Sequence, residues 1–600
     1  FASDSADELQ KQLASTSRKL EKVLVRAKAK TESENTNFQK RALFELARAV
    51  FEKASAQGKK IHLALVATSL DDLNEKLNSI KTRLKDGGDK LTEMTDIRGV
   101  YYSTQNMALQ GKTAFLYAGQ GSQRVNMLKT LSLYFPEIRD QFKNAASILE
   151  GKLNRPLETY VFPVPVFNQE ERSVQETELN DTRIAQPAIG VADLAMHKIA
   201  SSLGLSPDLV AGHSYGEYVA LCSAQAMSEN DLIALSYERG RILGQELDGD
   251  NGAMVAVMAP LDAVRKLTES VSGVQIANIN APEQCIVSGA TKAIEEFSKL
   301  ASDKGCYVKR VPVSCAFHSP LMEKKAQEFK KVLDKLSLKE PSIPVYSNTT
   351  ASAYPVRPNE IAKLLVEHTV KPVLFTSQLE AMYDAGARTF IEVGPGNVLT
   401  SLLENTFKNK KILAVALDGQ SKEDSTCIAP FLTALARLWA AGHPLKLERL
   451  FEGRQELLGV SVFEPLELRM PYRIDSCNVT KVGDSSAAQK ISQSARKQET
   501  PKMETKSASQ KSQPTKIAMS QQTNSKNQNA LNTALKAASQ PIAAGPQLSL
   551  PAVNLENHAA GTVERMILEY QKNMMDMTKT MLDAQKEVML AYLGSQKGAG

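Results

Sequence analysis

The stretch LVAGHSYGEYVAL, residues Leu209 to Leu221, joins a short apolar run to a helix-forming run through a turn that holds a serine between two glycines. G-x-S-x-G between a strand and a helix is the pattern of a nucleophile elbow, a turn too tight for side chains at Gly212 and Gly216. Such a turn lifts the Oγ of Ser214 off the sheet and lets the N–H of Tyr215 face a developing oxyanion. The alternative interpretation is an ordinary turn that caps a helix.

The length and composition predict a chain of several domains. It has 600 residues, of which 42% are hydrophobic and 23% are charged, as is typical of soluble proteins. No apolar run reaches the roughly 18 residues of a membrane span. The first residues, FASDSADELQ, contain neither a Met nor the segments of a signal peptide, so we expect a piece of a longer chain.

The six cysteines and seven histidines show no metal-binding spacing. We therefore expect reduced thiols, no metal site and a cytoplasmic location. The formal charge of +6 is uneven, because residues 478–550 alone hold ten Lys or Arg and three Asp or Glu. The rest of the chain is thus close to neutral, which argues against a nucleic-acid interface there.

The C-terminal part changes character near residue 476. Residues 478–550 contain no Phe, Trp or Tyr that could form a core. We therefore predict a disordered Ser/Gln/Lys-rich linker over 476–555. An amphipathic helix is predicted over 556–594, followed by a tail over 595–600. Its 4-3 apolar spacing favours a coiled coil or docking helix that mediates association, and the first helix of a further domain explains it equally well.

The order of predicted elements indicates an α/β fold in two parts. Helices and strands over 1–110 predict a small α/β unit. From residue 111 to 475, strands alternate with helices, which predicts a largely parallel sheet. Within this part, about 252–314 follows the order β-α-β-β-α-β, which predicts an inserted ferredoxin-like subdomain.

A serine nucleophile needs a base, and His318 is the best-placed candidate. It lies in CAFHSP, in a loop that follows the last strand of the predicted insert. The other histidines after the serine are His368, His443 and His558. Taken alone, a histidine in a loop is more often an ordinary surface residue.

Two further features could contribute to a site built around this serine. In YAGQGSQ, glycines follow an apolar strand, so that the N–H of Gln120 could be a second oxyanion donor, although an ordinary strand-to-helix loop would look the same. Arg239 falls on the apolar stripe of a helix that opens at Ser228, whereas Arg241 points away. A buried guanidinium needs either a structural carboxylate or an anionic substrate.

Together these motifs resemble a known family. YAGQGSQ, GHSYGEY, Arg239 and CAFHSP, followed by EVGPGNVL, resemble the malonyl-CoA:acyl carrier protein transacylases, and more narrowly the acyltransferase domains of polyketide and polyunsaturated fatty acid synthases. The resemblance covers residues 112 to about 475 and implies an α/β-hydrolase-like core. Residues 1–110 resemble the linker that follows a ketosynthase in such chains, and the C-terminal segments resemble those that precede carrier domains.

The resemblance implies a role for each matching residue. Ser214 would be the nucleophile and His318 its base, with Gln120 and Tyr215 as backbone oxyanion donors. The backbone carbonyl of His368 would orient the base. The substrates would be malonyl-CoA and the phosphopantetheine thiol of an acyl carrier protein, with no cofactor.

The remaining implied roles concern the substrate. Arg239 would bind the malonyl carboxylate and Gln186 would line the pocket. Phe317, in AFHS, would fill the space that an α-methyl group needs, which favours malonyl units. Cys315 stands where a histidine is usual, and Tyr215 is larger than the usual Leu or Val. A serine esterase or thioesterase, an acyltransferase for another acyl-CoA, and a catalytically silent scaffold are the alternatives.

Overall fold

The computed structural model describes residues 1–452 except 29, 31, 55–58, 246–249, 314 and 420–427, together with 472–474 and 479–481. The chain divides into two compact units, Phe1–Val482 and Gly483–Gly600. All of the described residues belong to the first unit. The predicted helix over 556–594 and the tail therefore lie outside the described residues, as does the predicted linker except for residues 479–481. Among the described residues, no helix has the length and apolar character needed to cross a bilayer.

The N-terminal part is an antiparallel sheet covered by helices. Its elements are β1 (Ala2–Ser3), α1 (Ala6–Lys28), α2 (Glu32–Phe51), β2 (Ile61–Leu65), α3 (Leu70–Gly87), β3 (Glu93–Asp96) and β4 (Val100–Ser103). The strand order is β1-β2-β4-β3. This part contains both helices and strands, as predicted for residues 1–110. Ser69 caps α3 by accepting the Asp72 N–H, as its position at the start of that helix predicts.

The chain then enters a second sheet. The next elements are β5 (Lys112–Tyr117), α4 (Lys129–Tyr134), α5 (Pro136–Ile148), α6 (Glu158–Val161), α7 (Gln169–Asn180), α8 (Thr182–Ser202), β6 (Leu209–Gly212), α9 (Gly216–Ser223) and α10 (Glu229–Gly244). Helix α8 is buried along most of its length and packs against α5 and α10. This packing fixes α10, and therefore Arg239, beside the sheet.

Residues 253–310 form a separate four-stranded antiparallel sheet with two helices. The elements are β7 (Ala253–Met258), α11 (Leu261–Glu269), β8 (Val274–Ala281), β9 (Gln284–Gly289), α12 (Thr291–Asp303) and β10 (Tyr307–Arg310). The strand order is β10-β7-β9-β8. Strand β8 is tied to the main body where the N–H of Ile279 donates to the carbonyl of Val373 at 2.8 Å.

The chain returns to complete the second sheet. The elements are α13 (Glu323–Leu333), β11 (Val345–Tyr346), α14 (Pro358–His368), α15 (Phe375–Asp384), β12 (Ala387–Glu392), α16 (Val398–Thr406), β13 (Leu413–Ala416), α17 (Ala429–Ala440), β14 (Tyr472–Ile474) and β15 (Val479–Lys481). The order β11-β6-β5-β12-β13 is parallel throughout, which confirms the predicted parallel sheet. Strands β14 and β15 pair antiparallel; β14 precedes the predicted linker and β15 lies within its first residues.

The turn after β6 is shaped by steric exclusion. A Cβ on Gly212 would lie 1.9 Å from the carbonyl carbon of Gly216, and a Cβ on Gly216 would lie 2.2 Å from the carbonyl oxygen of Tyr117. Between them, Ser214 has φ of +49°, a left-handed conformation that costs a non-glycine residue about 1–2 kcal/mol. The turn is therefore a strained strand-to-helix elbow, as the G-x-S-x-G pattern predicts.

We expect Gly212→Ala to lower the free energy of unfolding by more than about 3 kcal/mol, because the added methyl would overlap backbone atoms that cannot rotate away. Urea denaturation of the purified variant measures this loss. Gly151→Ala is the control for backbone strain without steric overlap, since Gly151 has a positive φ of +72° but no atom within 4 Å of an added Cβ. It should cost only about 1–2 kcal/mol. Equal losses in the two variants would contradict the steric account of the elbow.

Candidate active site

Ser214 and His318 lie in contact although 104 residues separate them. The Oγ of Ser214 is 2.8 Å from Nε2 of His318. The elbow places the serine at the carboxyl end of β6, and the loop after β10 brings in the histidine, whose φ is also positive at +55°. His318 is only 2% exposed. The structure therefore brings into contact the two residues that the sequence predicted as nucleophile and base.

Backbone carbonyls fix the tautomer of His318. Its Nδ1 lies 2.9 Å from the carbonyl oxygen of His368 and 3.2 Å from that of Lys371. Because carbonyl oxygens only accept hydrogen bonds, Nδ1 carries the proton and the lone pair of Nε2 faces Ser214. Burial, and secondarily the charge of Arg239, lowers the pKa of His318 to about 3. The imidazole is therefore neutral and able to accept a proton.

His368 contributes its backbone to this arrangement. Its imidazole is buried, and neither ring nitrogen has a hydrogen-bond partner within the described part of the chain. The ring lies against that of His318, with centroids 5.2 Å apart, and its Nε2 is 3.7 Å from the carboxylate of Glu217. The contact to His318 Nδ1 is thus made by the carbonyl that the resemblance singled out.

Two backbone N–H groups are available as oxyanion donors. The N–H groups of Gln120 and Tyr215 donate no hydrogen bond to any residue that the structure describes. The loop after β5 approaches the elbow so closely that a Cβ on Gly119 would lie 2.2 Å from the carbonyl oxygen of His213. This approach explains the first glycine of YAGQGSQ. Both predicted donors belong to residues that line the cavity containing Ser214.

Arg239 brings a buried positive charge to the same cavity. It is 2% exposed, and its guanidinium carbon lies 4.9 Å from the centre of the Tyr218 ring, a cation–π contact. Its Nε has no hydrogen-bond partner, and no acidic residue in the described part of the chain forms an ion pair with it. Arg241, by contrast, faces outward and binds Glu238 at 2.9 Å. The charge of Arg239 is one of the lesser influences on the pKa of the buried Glu217, but no described carboxylate lies within ion-pair distance of the guanidinium.

The cavity itself has a volume of about 200 Å³ and walls of mixed character. Phe317 lies on its wall beside the catalytic pair. The apolar lining comes from Met254, Ile286, Val311, Val313, Val398 and Leu402. Asn278 also lines it, and its buried Oδ1 has no hydrogen-bond partner among the residues that the structure describes. The cavity thus offers an apolar passage with an unsatisfied hydrogen-bond acceptor.

Gln186 lies one layer behind the cavity. It is fully buried on α8, and its Nε2 is 3.3 Å from the Oε1 of Gln120. It is not among the residues that form the cavity wall. The structure therefore differs from the predicted pocket-lining position and places Gln186 where it supports the side chain of Gln120.

His443, within the described part of the chain, is not observed in contact with the hydroxyl of Ser214. His443 is buried and lies 3.1 Å from the hydroxyl of Thr389 within the sheet core. His558 lies outside the described residues. Of the histidines after Ser214, the structure brings His318 to the hydroxyl and leaves His443 in a packing role.

The two departures from the family pattern are accommodated by their neighbours. The Tyr215 side chain turns into the core, where its hydroxyl is 2.6 Å from that of Ser236. The ring fits because residue 190 is glycine; a Cβ there would lie 2.2 Å from the Tyr215 hydroxyl oxygen. Cys315 is buried, and its Sγ is 3.4 Å from the carbonyl oxygen of Leu243.

Sequence reasoning missed the groups that support the serine from below. Asn348 accepts the N–H of Ser214, and the carboxylate of Glu217 accepts the N–H of Asn348. Burial raises the pKa of Glu217 to about 7. The signal for Glu217 was its place in GHSYGEY, but nothing in the sequence shows that Asn348 lies beside the elbow.

Comparisons with known proteins agree with this geometry. Residues 114–444 match the family described as "Acyl transferase domain". A malonyl CoA-acyl carrier protein transacylase from Bacillus subtilis (strain 168) is 35% identical over 312 residues, which cover 51% of this chain and 93% of that protein. The spectinabilin polyketide synthase system protein NorB from Streptomyces orinoci is 33% identical over 355 residues, which cover 58% of this chain.

The solved structures include one with a similar fold over most of the described chain. The acyltransferase domain from the second module of the salinomycin polyketide synthase matches with a TM-score of 0.55 and 29% identity, covering 70% of this chain and 91% of that one. The chain spans only 16% of the length of the Streptomyces orinoci synthase protein. With the family match extending over more than half of its residues, the chain belongs to the acyl transferase domain family.

Proposed function

We propose that this chain transfers a malonyl group from malonyl-CoA, through an ester on Ser214, to the phosphopantetheine thiol of an acyl carrier protein. The observation that carries the proposal is the position of Arg239. Its buried guanidinium, without an acidic partner in the described part of the chain, lines the same cavity as Ser214 and His318. An acyl group that ends in a carboxylate supplies the missing anion.

The acylation step uses the neutral His318. The Ser214 hydroxyl donates its proton to Nε2 as Oγ attacks the thioester carbonyl, and the tetrahedral oxyanion is held by the N–H groups of Gln120 and Tyr215. Collapse of this intermediate expels CoA, whose thiolate takes the proton from His318. The carrier thiol then attacks the acyl-serine by the same route in reverse, so that the acyl group moves with no redox or metal chemistry.

Substrate binding also changes the basicity of His318. The positive charge of Arg239 is one of the causes that hold the pKa of His318 low. When a malonyl carboxylate pairs with the guanidinium, that repulsion is reduced, so the imidazole becomes a stronger base when it must accept the proton. An acyl group without a carboxylate does not provide this change.

The walls of the cavity suit a pantetheine arm, which CoA and carrier protein share. Its apolar methylene groups would contact residues such as Ile286 and Val398, and an amide N–H would satisfy the Oδ1 of Asn278. Phe317 on the wall supports preference for malonyl over methylmalonyl units, because its ring takes up space that an α-methyl group would need. His318 Nδ1 contacts carbonyl groups rather than a carboxylate, which distinguishes this site from a Ser-His-Asp hydrolase.

The surrounding regions fit a segment of a larger synthase. We propose that residues 252–314 are a ferredoxin-like insert, since their elements follow the order βαββαβ and their strands lie in the order β10-β7-β9-β8. We propose that residues 1–110 are the linker to a preceding ketosynthase, since β2 packs on α17 of the acyltransferase part. We propose a cytoplasmic location, which is supported by the reduced state of the four described cysteines, none of which forms a disulfide with another.

We expect the acylation rate to stay constant from pH 8 down to pH 5. The base must be neutral, and a pKa of about 3 keeps His318 neutral throughout this range. A histidine with an ordinary pKa near 6.5 would lose about tenfold in rate by pH 5.5. Stopped-flow measurement of CoA release at malonyl-CoA concentrations far below half-saturation tests this, because the rate then reports the pKa of the free enzyme. A tenfold fall centred near pH 6.5 would contradict a buried, neutral base.

We expect Arg239→Ala to lower kcat/KM for malonyl-CoA by roughly 10²-fold or more, because a buried charge pair is worth about 2–5 kcal/mol. For acetyl-CoA, kcat/KM of the same variant should equal or exceed that of the wild type. Acetyl has no carboxylate to pair with Arg239, and the substitution removes an uncompensated buried charge. Arg239→Lys should rescue malonyl transfer only partly, because lysine lacks the planar fork of donors.

Arg241→Ala is the matched control for this experiment. Arg241 lies on the same helix but is partly exposed and bound to Glu238. Its loss should therefore leave kcat/KM for both malonyl-CoA and acetyl-CoA unchanged. If Arg239→Ala slowed malonyl and acetyl transfer by the same factor, Arg239 would be structural and the assignment of a dicarboxylic acyl group would fail.

A further inference from the structure

The turn after β11 brings a buried polar residue beneath the elbow. Strand β11 pairs in parallel with β6, with Val345 opposite Val210 and Tyr346 opposite Ala211. Both strands therefore end at the same edge of the sheet, and Asn348 lies beside the turn that follows β6. Asn348 is fully buried and is not among the residues that line the reaction cavity.

The side-chain amide of Asn348 spans the elbow. Its Oδ1 accepts the N–H of Ser214 at 2.6 Å, and its Nδ2 donates to the carbonyl of Gly212 at 2.7 Å. The Nδ2 also donates to the Oε1 of Gln378 at 2.8 Å. The orientation of the amide is forced, because the N–H of Ser214 can only donate and the carbonyl of Gly212 can only accept.

Two further groups hold Asn348 itself. Its own N–H donates to the carboxylate of Glu217 at 2.7 Å, and the hydroxyl of Tyr354 donates to the same carboxylate. Gln378 is fixed in turn, because its Nε2 donates to the carbonyl of Tyr346 at 2.7 Å. The side-chain donors and acceptors of Asn348 are thus satisfied by neighbours that are themselves bonded, which is the arrangement of a rigid support.

We propose that Asn348 is the positioning residue that holds Ser214 in its left-handed backbone conformation and thereby sets the distance from Oγ to His318. The proposal rests on the proposed role of Ser214 as nucleophile. A clamp on the atoms just before and at Ser214 opposes relaxation of the strained turn, which would swing Oγ away from Nε2. Because Asn348 does not reach the cavity, it acts through Ser214 and not on the substrate.

The test separates alignment from binding. In single-turnover acylation by malonyl-CoA, Asn348→Ala should lower the maximal rate on the order of 10²-fold, since misplacing a reacting atom by about 1 Å costs that much. The malonyl-CoA concentration at half-maximal rate should change by less than about threefold. Arg239→Ala should show a raised half-saturating concentration in the same assay, which gives the opposite signature for comparison.

Two companion variants keep the test decisive. Gln378→Met removes the acceptor that orients Asn348 Nδ2 without touching Ser214, and should give a smaller loss with the same unchanged half-saturation; it carries the test if Asn348→Ala fails to fold. Thr389→Val is the control, because it removes another buried hydrogen bond of the same sheet, to His443. It should leave the acylation rate of the folded protein unchanged.

The outcomes divide clearly. A fall in maximal rate at constant half-saturation, present in the Asn348 or Gln378 variant and absent in Thr389→Val, supports the positioning role. Unchanged rates per folded molecule with only a lower thermal midpoint would overturn it, as would a loss in Thr389→Val equal to that in the test variants. Failure of wild-type Ser214 to form a malonyl ester would instead reject the proposed function, which is a separate result.

Discussion

No side chain fits at Gly212 or Gly216, and this exclusion is the constraint on which the rest of the site depends. Because these two positions carry no side chain, the backbones of β6, the loop after β5 and the start of α9 come into contact. Ser214 is raised between them, next to the N–H of Tyr215, which donates to no described residue. The same proximity brings Gln120 within the same cavity. A serine in a looser turn would keep its hydroxyl but lose the fixed relation to both oxyanion donors and to His318.

A second constraint is electrostatic and links substrate choice to catalysis. Arg239 is buried against Tyr218 with no acidic partner among the described residues, a state that is unfavourable until an anion enters. Its charge also depresses the pKa of His318. In the proposed function this one residue would bind the substrate carboxylate and also adjust the base, because pairing with the carboxylate would reduce the repulsion that disfavours proton transfer to His318.

The sequence predicted those parts of the site that are encoded locally. The elbow follows from two glycines around Ser214, and the buried position of Arg239 follows from the helical stripe that begins at Ser228. The position of His318 in a loop after a strand made it a candidate base, but its pairing with Ser214 needed the resemblance, because a contact across 104 residues leaves no local pattern. Asn348 was missed for the same reason, since only the pairing of β11 with β6 reveals that it lies under the elbow. The resemblance implied that Gln186 lines the pocket, whereas it lies behind the cavity wall with its Nε2 3.3 Å from Oε1 of Gln120, a difference of one layer that a family match does not resolve.

The most direct measurement is peptide mapping by mass spectrometry after brief mixing of the protein with malonyl-CoA, followed by a chase with holo acyl carrier protein. The account predicts a malonyl ester on Ser214 alone, stable to water on the timescale of the experiment and discharged to the carrier thiol. Absence of an ester on Ser214, a malonyl group on another residue, or loss of the ester to water as fast without the carrier as with it would contradict the account.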